Sequence, residues 1–285
     1  MQKDNKIKNI FKIIFFSVVL LLIIALFFIK LWYVPSLPIT LNGSGQEKEY
    51  VVKNGETIDE LANQLSQDKM IRSAHQLVSD FTDLQDAQKD NNNAPQQQVA
   101  NSTGLQEGGY VVKSTWSPKK IAKDLMTPNN DQFKEYYFKK VAKDAQIAGN
   151  KYHVLPSIII AHSAIESNYG MSQLSSKYNN YFGIKTDNKQ NGVTLPTQEV
   201  MNGTTVGQDA MFLKCDSREQ CFEDYAKTLA KGNTWNKNQF KDVVDQRNYK
   251  KAAQGLVKDG YATDPKLGDK ITSLISQYDL TKYDD

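Results

Sequence analysis

Apolar positions along this chain fall into regimes that differ in length and period. Residues 13–29 (IIFFSVVLLLIIALFFI) are uncharged and almost wholly apolar, and the run continues past Lys30 through Leu31, Trp32, Tyr33 and Val34 to Pro35. A helix from Ile13 to Val34 would be about 33 Å long, against a hydrocarbon core of roughly 30 Å. Lys30 lies near enough to the end to snorkel, and Trp32 and Tyr33 sit where interfacial aromatics belong. The run is longer than the apolar part of a signal peptide and no small-x-small cleavage site follows, so it reads as an uncleaved anchor. Lys3, Lys6, Lys8 and Lys12 precede it, which puts the N-terminus in the cytoplasm and everything after Pro35 outside.

The pattern then breaks. Residues 36–49 (SLPITLNGSGQEKE) carry Pro, Gly and Ser without apolar periodicity and read as a linker. A repeat follows: YVVKNGETIDELANQL from Tyr50 to Leu65 aligns without gaps on YVVKSTWSPKKIAKDL from Tyr110 to Leu125. Each copy is a β-rich run and then a helix start, marked by Thr57 with Glu60 in the first and by Ser117 with Pro118 in the second. Apolar residues recur at helical spacing in both copies, at Ile58, Leu61, Ala62 and Leu65 and at Ile121, Ala122 and Leu125. The Asn/Gln-rich stretch at 83–103 between them is nearly free of large apolar residues and is expected to be a disordered surface insertion.

From about Asp131 long helical patterns with aromatic punctuation take over. In LPSIIIAHSAIESNYG, Pro156 suits a first turn, Ile158 to Ile165 are too continuously apolar for a surface helix, and Gly170 is a natural stop. Glu166 arrives at the C-terminal end of this buried helix. The helix dipole and apolar surroundings both disfavour a carboxylate there, which suits a general acid; an ordinary glutamate at an exposed helix end fits the local pattern equally well. Residues 192–212 are β-rich and broken by turns.

Charge narrows the function classes. The net charge is +3, and four lysines less Asp4 within the first twelve residues already account for it, so the remainder is formally neutral. No basic stripe remains for nucleic acid. Cys215 and Cys221, the two cysteines, lie in the exported part, and a local disulfide is expected; so short a loop would contribute roughly 2–2.5 kcal/mol. Two separate buried thiols are the alternative, disfavoured by the polar DSREQ between them. His75, His153 and His162 share no metal-ligand spacing, and HExxH, GxGxxG, P-loop and GxSxG patterns are missing, so no metal, cofactor, nucleotide or serine chemistry is expected.

Five motifs in order, AHSAIESNYG (161–170), NNYFGIK (179–185), TQEV (197–200), FEDYAKTL (222–229) and GYATDP (260–265), resemble the N-acetylglucosaminidases of glycoside hydrolase family 73. The repeat with its LQEGGYVV joint resembles the LysM-like portion of membrane-bound endolytic murein transglycosylases, although a plain spacer has the same pattern. The fold these resemblances imply is α+β: a lysozyme-like, mainly helical catalytic domain with a small β-lobe at 129–285, a small LysM-like β/α domain at 50–128, the linker, and one transmembrane helix within 1–35. The implied partners are peptidoglycan glycan strands and the cytoplasmic membrane, with a membrane-protein partner left open. The implied reaction is cleavage of the β-1,4 bond between GlcNAc and MurNAc.

Residue by residue, the resemblance makes Glu166 the proton donor, Glu199 in TQEV the acid on the opposite side of the sugar ring, and Tyr261 a group near the catalytic centre. Exposed-strand and core readings remain open for Glu199 and Tyr261. Asn180, Tyr181 and Phe182 are expected to line the groove, with Asn180 bonding sugar or backbone and either ring alternatively in the core, and Tyr169 stands where the family usually has Trp or another aromatic. His162 replaces a common Gln one helical turn before Glu166. If protonated it would oppose the acid role of Glu166; if neutral it would simply hydrogen-bond. Lys266 and Leu267 replace a frequent aromatic at one subsite edge. A lytic transglycosylase, needing only Glu166, and an enzymatically silent wall-binding scaffold are the competing functions.

Overall fold

A computed structural model describes residues 2–41, 43–91, 105–201, 204–232, 236–262 and 264–285, with side chains 2–11, 89–91, 198–201 and 204–206 outside the description. Helix α1 (Gln2–Phe28) continues through a π turn (Ile29–Tyr33) and a 3-10 turn (Val34–Ser36) that Pro35 opens. The stretch Lys12–Ser36 is long and apolar enough to cross a membrane, and none of it is buried. The chain divides into two compact units, Met1–Asn130 and Asp131–Asp285, each with its own apolar core.

In the first unit the repeat becomes a near-symmetric pair. Strand β1 (Glu47–Val52) leads to helix α2 (Ile58–Gln67), helix α3 (Ala74–Asn91) follows, and strand β2 (Gly108–Lys113) leads to helix α4 (Pro118–Leu125). The strands pair antiparallel with Tyr50 opposite Tyr110, the first residues of the two repeat copies. A local two-fold therefore passes between those tyrosines and exchanges the copies. The helix starts match the expected caps: Thr57 and Glu60 form a reciprocal box, and Ser117 accepts from the Lys120 amide ahead of Pro118. Ile58, Leu61, Ala62 and Leu65 are buried from one copy, and Ile121, Ala122 and Leu125 from the other.

Two expectations need correction in this unit. Residues 83–91 continue α3 and are not a disordered insertion, because Leu77, Phe81 and Leu84 carry a core-facing stripe into that segment; residues 92–103 of the expected insertion lie outside the described residues. The stretch 36–49 is no free linker: Arg72 donates to the carbonyls of Pro38 and Ile39, and Ser114 binds the Thr40 and Gln46 amides through its carbonyl and hydroxyl.

The second unit is mainly helical. It runs through α5 (Asp131–Tyr152), α6 (Pro156–Glu166) and α7 (Gln173–Tyr178), then an antiparallel hairpin of β3 (Gly192–Met201) and β4 (Thr204–Leu213). Helices α8 (Arg218–Lys231), α9 (Tyr249–Lys258) and α10 (Leu267–Gln277) and a final 3-10 turn (Leu280–Tyr283) complete it. The β-rich stretch at 192–212 is this hairpin, stitched to the helical body at its open end: Phe212 bridges to Lys185, and the Leu213 amide donates to the Ile184 carbonyl. Helix α6 runs through the core, with every residue from Pro156 to Ala164 buried.

Candidate active site

Helix α6 is the spine of the site, and its ends are built differently. At the N-terminus Pro156 occupies the first turn, and Leu155 has no side chain to cap the free amides. The cap comes from the other end of the unit: Asp284 accepts from the Ser157 amide at 2.7 Å and from its hydroxyl at 2.8 Å. Burial raises the Asp284 carboxyl above the ordinary range, partly offset by those two bonds. At the C-terminus Ser163 and Ser167 close the last turn, with Ser167 Oγ donating to the Ser163 carbonyl at 2.6 Å and accepting from the Gly170 amide at 2.8 Å. The buried Tyr137 hydroxyl donates to Ser163 Oγ at 2.9 Å. Asn168, Tyr169 and Gly170 then all adopt positive φ, a turn that only Gly170 takes without strain; a Cβ there would press on the rings of Tyr137 and Tyr181.

This construction delivers Glu166 to the surface at the end of a buried rod. Its side chain is 35 % exposed, and Oε1 lies 3.4 Å from Nε2 of the fully buried His162 one turn earlier. His162 Nδ1 is 2.7 Å from the Tyr225 hydroxyl on α8. The Tyr261 ring meets His162 edge-on at 5.0 Å between centroids and Tyr225 at 5.5 Å. Phe182 stacks flat on Tyr225 at 3.9 Å and completes an aromatic box behind the carboxyl. Burial pushes the Tyr225 hydroxyl well above its ordinary value, reinforced by Tyr261 and by the Glu166 charge. Burial and then Glu166 do the same to Tyr261. Both hydroxyls therefore stay protonated at neutral pH and serve as neutral groups beside a carboxyl that can exchange a proton with a ligand in solvent.

The structure brings Glu166 and Tyr261 together but moves the expected groove residues into the core. Asn180 is 1 % exposed and cannot reach sugar. Its Nδ2 donates to the Ile184 carbonyl at 2.9 Å and to the Leu213 carbonyl at 2.8 Å, while Oδ1 accepts from the Ile184 and Phe182 amides. The side chain thus ties the 180–184 turn to the end of β4. Tyr181 and Phe182 are likewise buried, packed edge-on against Phe222. Tyr169 is half-buried against Phe133, Tyr137 and Phe138, and burial raises its hydroxyl.

Other positions depart in smaller ways. Leu267 is a core residue at the start of α10 and forms no subsite edge. The backbone of Glu199 lies in β3 opposite Val206, and its side chain is outside the described residues. Thr263 of GYATDP is outside them as well. The expected disulfide is replaced by two buried free thiols, with Cys221 accepting from the Tyr181 amide at 3.3 Å. The polar DSREQ does not contradict this, because it starts α8: Ser217 caps the Gln220 amide and Gln220 Oε1 accepts from the Asp216 amide, so the polar atoms stay outside while both sulfurs point inward.

Tyr225 and Asp284 were not singled out from the sequence. Tyr225 sits in FEDYAKTL, where buried Phe222, Tyr225, Ala226 and Leu229 already trace an inward face of α8. No local signal links Asp284 to Ser157, 127 positions away.

Comparison with known proteins adds independent information. The family model described as "Glucosaminidase: Mannosyl-glycoprotein endo-beta-N-acetylglucosaminidase" matches residues 142–280. The chain is 40 % identical over 177 residues to the exo-glucosaminidase LytG of Bacillus subtilis, covering 62 % of each protein. It is 35 % identical over 153 residues to a protein of Lactococcus lactis named a probable N-acetylmuramidase, covering 53 % of this chain and 35 % of that one. It thus spans less than two thirds of the length of either relative. Among solved structures, the catalytic domain of the autolysin Auto from Listeria monocytogenes is 32 % identical with a TM-score of 0.50, and the match covers 59 % of this chain and 98 % of that domain.

Proposed function

Because the chain belongs to the glucosaminidase family, we propose that it is a membrane-anchored peptidoglycan hydrolase that cleaves the β-1,4 bond between GlcNAc and MurNAc, with Glu166 as proton donor. The observation that carries this reading is the single solvent-facing carboxyl at the end of α6, backed by His162, Tyr225 and Tyr261. In the reaction Glu166 gives its proton to the glycosidic oxygen as the C1–O bond breaks, and the leaving sugar departs as the alcohol. Water then adds at C1 and its proton is taken up by a carboxylate. Glu199 is assigned to the opposite face of the ring, as nucleophile or as base for that water. Tyr261, neutral and beside the acid, is assigned to hydrogen-bond the sugar or the water.

Further assignments follow the same logic. Lys12–Ser36 is assigned as a single-pass span with the N-terminal lysines in the cytoplasm and both units facing the wall. The paired β-α copies at 50–128 are assigned as a LysM-like unit that contacts glycan or sets the distance to the membrane. The relatives' printed names include both a glucosaminidase and a muramidase, so the linkage is the sharpest point to test. Mass spectrometry of borohydride-reduced digestion products should find reduced GlcNAc ends. Reduced MurNAc ends would make the chain a muramidase, and 1,6-anhydro-MurNAc ends would make it a lytic transglycosylase.

A further inference from the structure

The geometry points to His162 as a positioning residue for Glu166, locked by Tyr225 into the one tautomer that aims an N–H at the acid. This rests on the reading of Glu166 as proton donor. His162 is fully buried, its ring faced by Phe182, Tyr225 and Tyr261. The Tyr225 hydroxyl is also buried, and His162 Nδ1 is its hydrogen-bond partner among the described residues. A buried hydroxyl proton needs an acceptor, and here Nδ1 supplies it. Nδ1 must then present its lone pair, so the ring hydrogen of the neutral imidazole sits on Nε2. That nitrogen is buried without a hydrogen-bond partner among the described residues, and Glu166 Oε1 stands 3.4 Å away.

The arrangement is one small rotation short of a relay. Glu166 is partly exposed, and a side-chain rotation that closes the gap to about 2.9 Å makes Nε2–H···Oε1 a hydrogen bond while Tyr225 holds the far side of the ring. Two effects follow. The carboxyl is held in one orientation at the end of a side chain that would otherwise sample several. An N–H donor also favours the carboxylate over the acid, an interaction that a ring without the donor cannot make.

The other titratable groups around the pair do not compete for this effect. Tyr225 faces it from α8 and Tyr261 from the turn after α9, with Cys221 acting on Tyr261 and Tyr137 bonded to Ser163 of α6. Burial raises all three tyrosine hydroxyls, and the bond to Cys215 together with burial raises the Cys221 thiol, so each stays neutral from acid to neutral pH. Helix α10 contributes buried Ile271 and Ile275, and Asp284 sits on Ser157 at the opposite end of α6. Glu199 is unchanged in every variant compared, so its contribution cancels.

The test is the pH dependence of kcat/KM on purified peptidoglycan for the full-length protein and its variants, with folding checked by circular dichroism. His162→Phe keeps a ring but removes the donor, and should move the basic limb upward by about half a pH unit or more. His162→Gln should return it toward the wild-type position, since its amide oxygen can accept from Tyr225 while its NH2 reaches Glu166. Should His162→Phe fail to fold, imidazole 15N spectra of the histidine-labelled wild-type protein decide: the Nε2–H tautomer at His162 supports the proposal and the Nδ1–H tautomer overturns it. A folded His162→Phe whose basic limb is unmoved or lowered also overturns it. Glu166→Gln in the same assay separates the two levels: loss of activity there with an unmoved His162→Phe limb removes only the relay, whereas retained activity removes the proton-donor reading itself.

Discussion

Among single residues, Asn180 holds the backbone of its turn and lies too deep to bond sugar. Both halves of its amide are committed to backbone groups across the 180–184 turn and the end of β4. Removing it takes an acceptor from the Ile184 and Phe182 amides and a donor from the Ile184 and Leu213 carbonyls, a loss of about 1–3 kcal/mol. Asn180→Ala should therefore lower the unfolding free energy of the second unit by about 2 kcal/mol or more in a denaturant melt. A groove residue would instead raise KM and leave the melt unchanged. Asn, Tyr and Phe are residue types that both cores and sugar grooves use, so NNYFGIK by itself did not decide between them. The buried helix leading to Glu166 was legible from its apolar run, whereas the acid role came from the resemblance of five motifs, since the local pattern fits an ordinary exposed glutamate equally well. The cysteines misled because an exported location, close spacing and the polar DSREQ all favour a bridge, while their depth behind the start of α8 is a property of the folded unit.

At the level of elements, what lay close in sequence was readable and what lay far apart was not. Both helix starts of the repeat were visible as Ser or Thr caps, and the gapless alignment anticipated two equivalent strand-helix units. Their pairing at Tyr50 and Tyr110 is a tertiary outcome that the repeat makes natural, because antiparallel partners related by a two-fold must share equivalent residues. The cap of α6 had no such signal, since Asp284 comes from the far end of the chain segment. Asp284→Ala removes an acceptor from the Ser157 amide and hydroxyl and should lower stability by about 1 kcal/mol, seen as a reduced melting temperature. An unchanged melt would mean that solvent caps α6 equally well. Glu166 lies at the other end of the same helix, so a loose N-terminus should also reduce kcat.

On the scale of the whole molecule, the chain carries an apolar N-terminal helix and two separately cored units. Fractionation should recover the full-length protein with membranes, and protease added outside intact cells should cleave the second unit. A soluble mature form beginning near residue 36 would contradict the anchor. The central claim is narrower: that one carboxyl carries the proton transfer. The most direct measurement is the rate at which purified peptidoglycan is solubilised by wild-type protein and by Glu166→Gln, which keeps the shape of the side chain but has no acidic proton to give. The account predicts a fall of at least about 100-fold with an unchanged thermal melt. A folded Glu166→Gln variant that digests the polymer at the wild-type rate would contradict it.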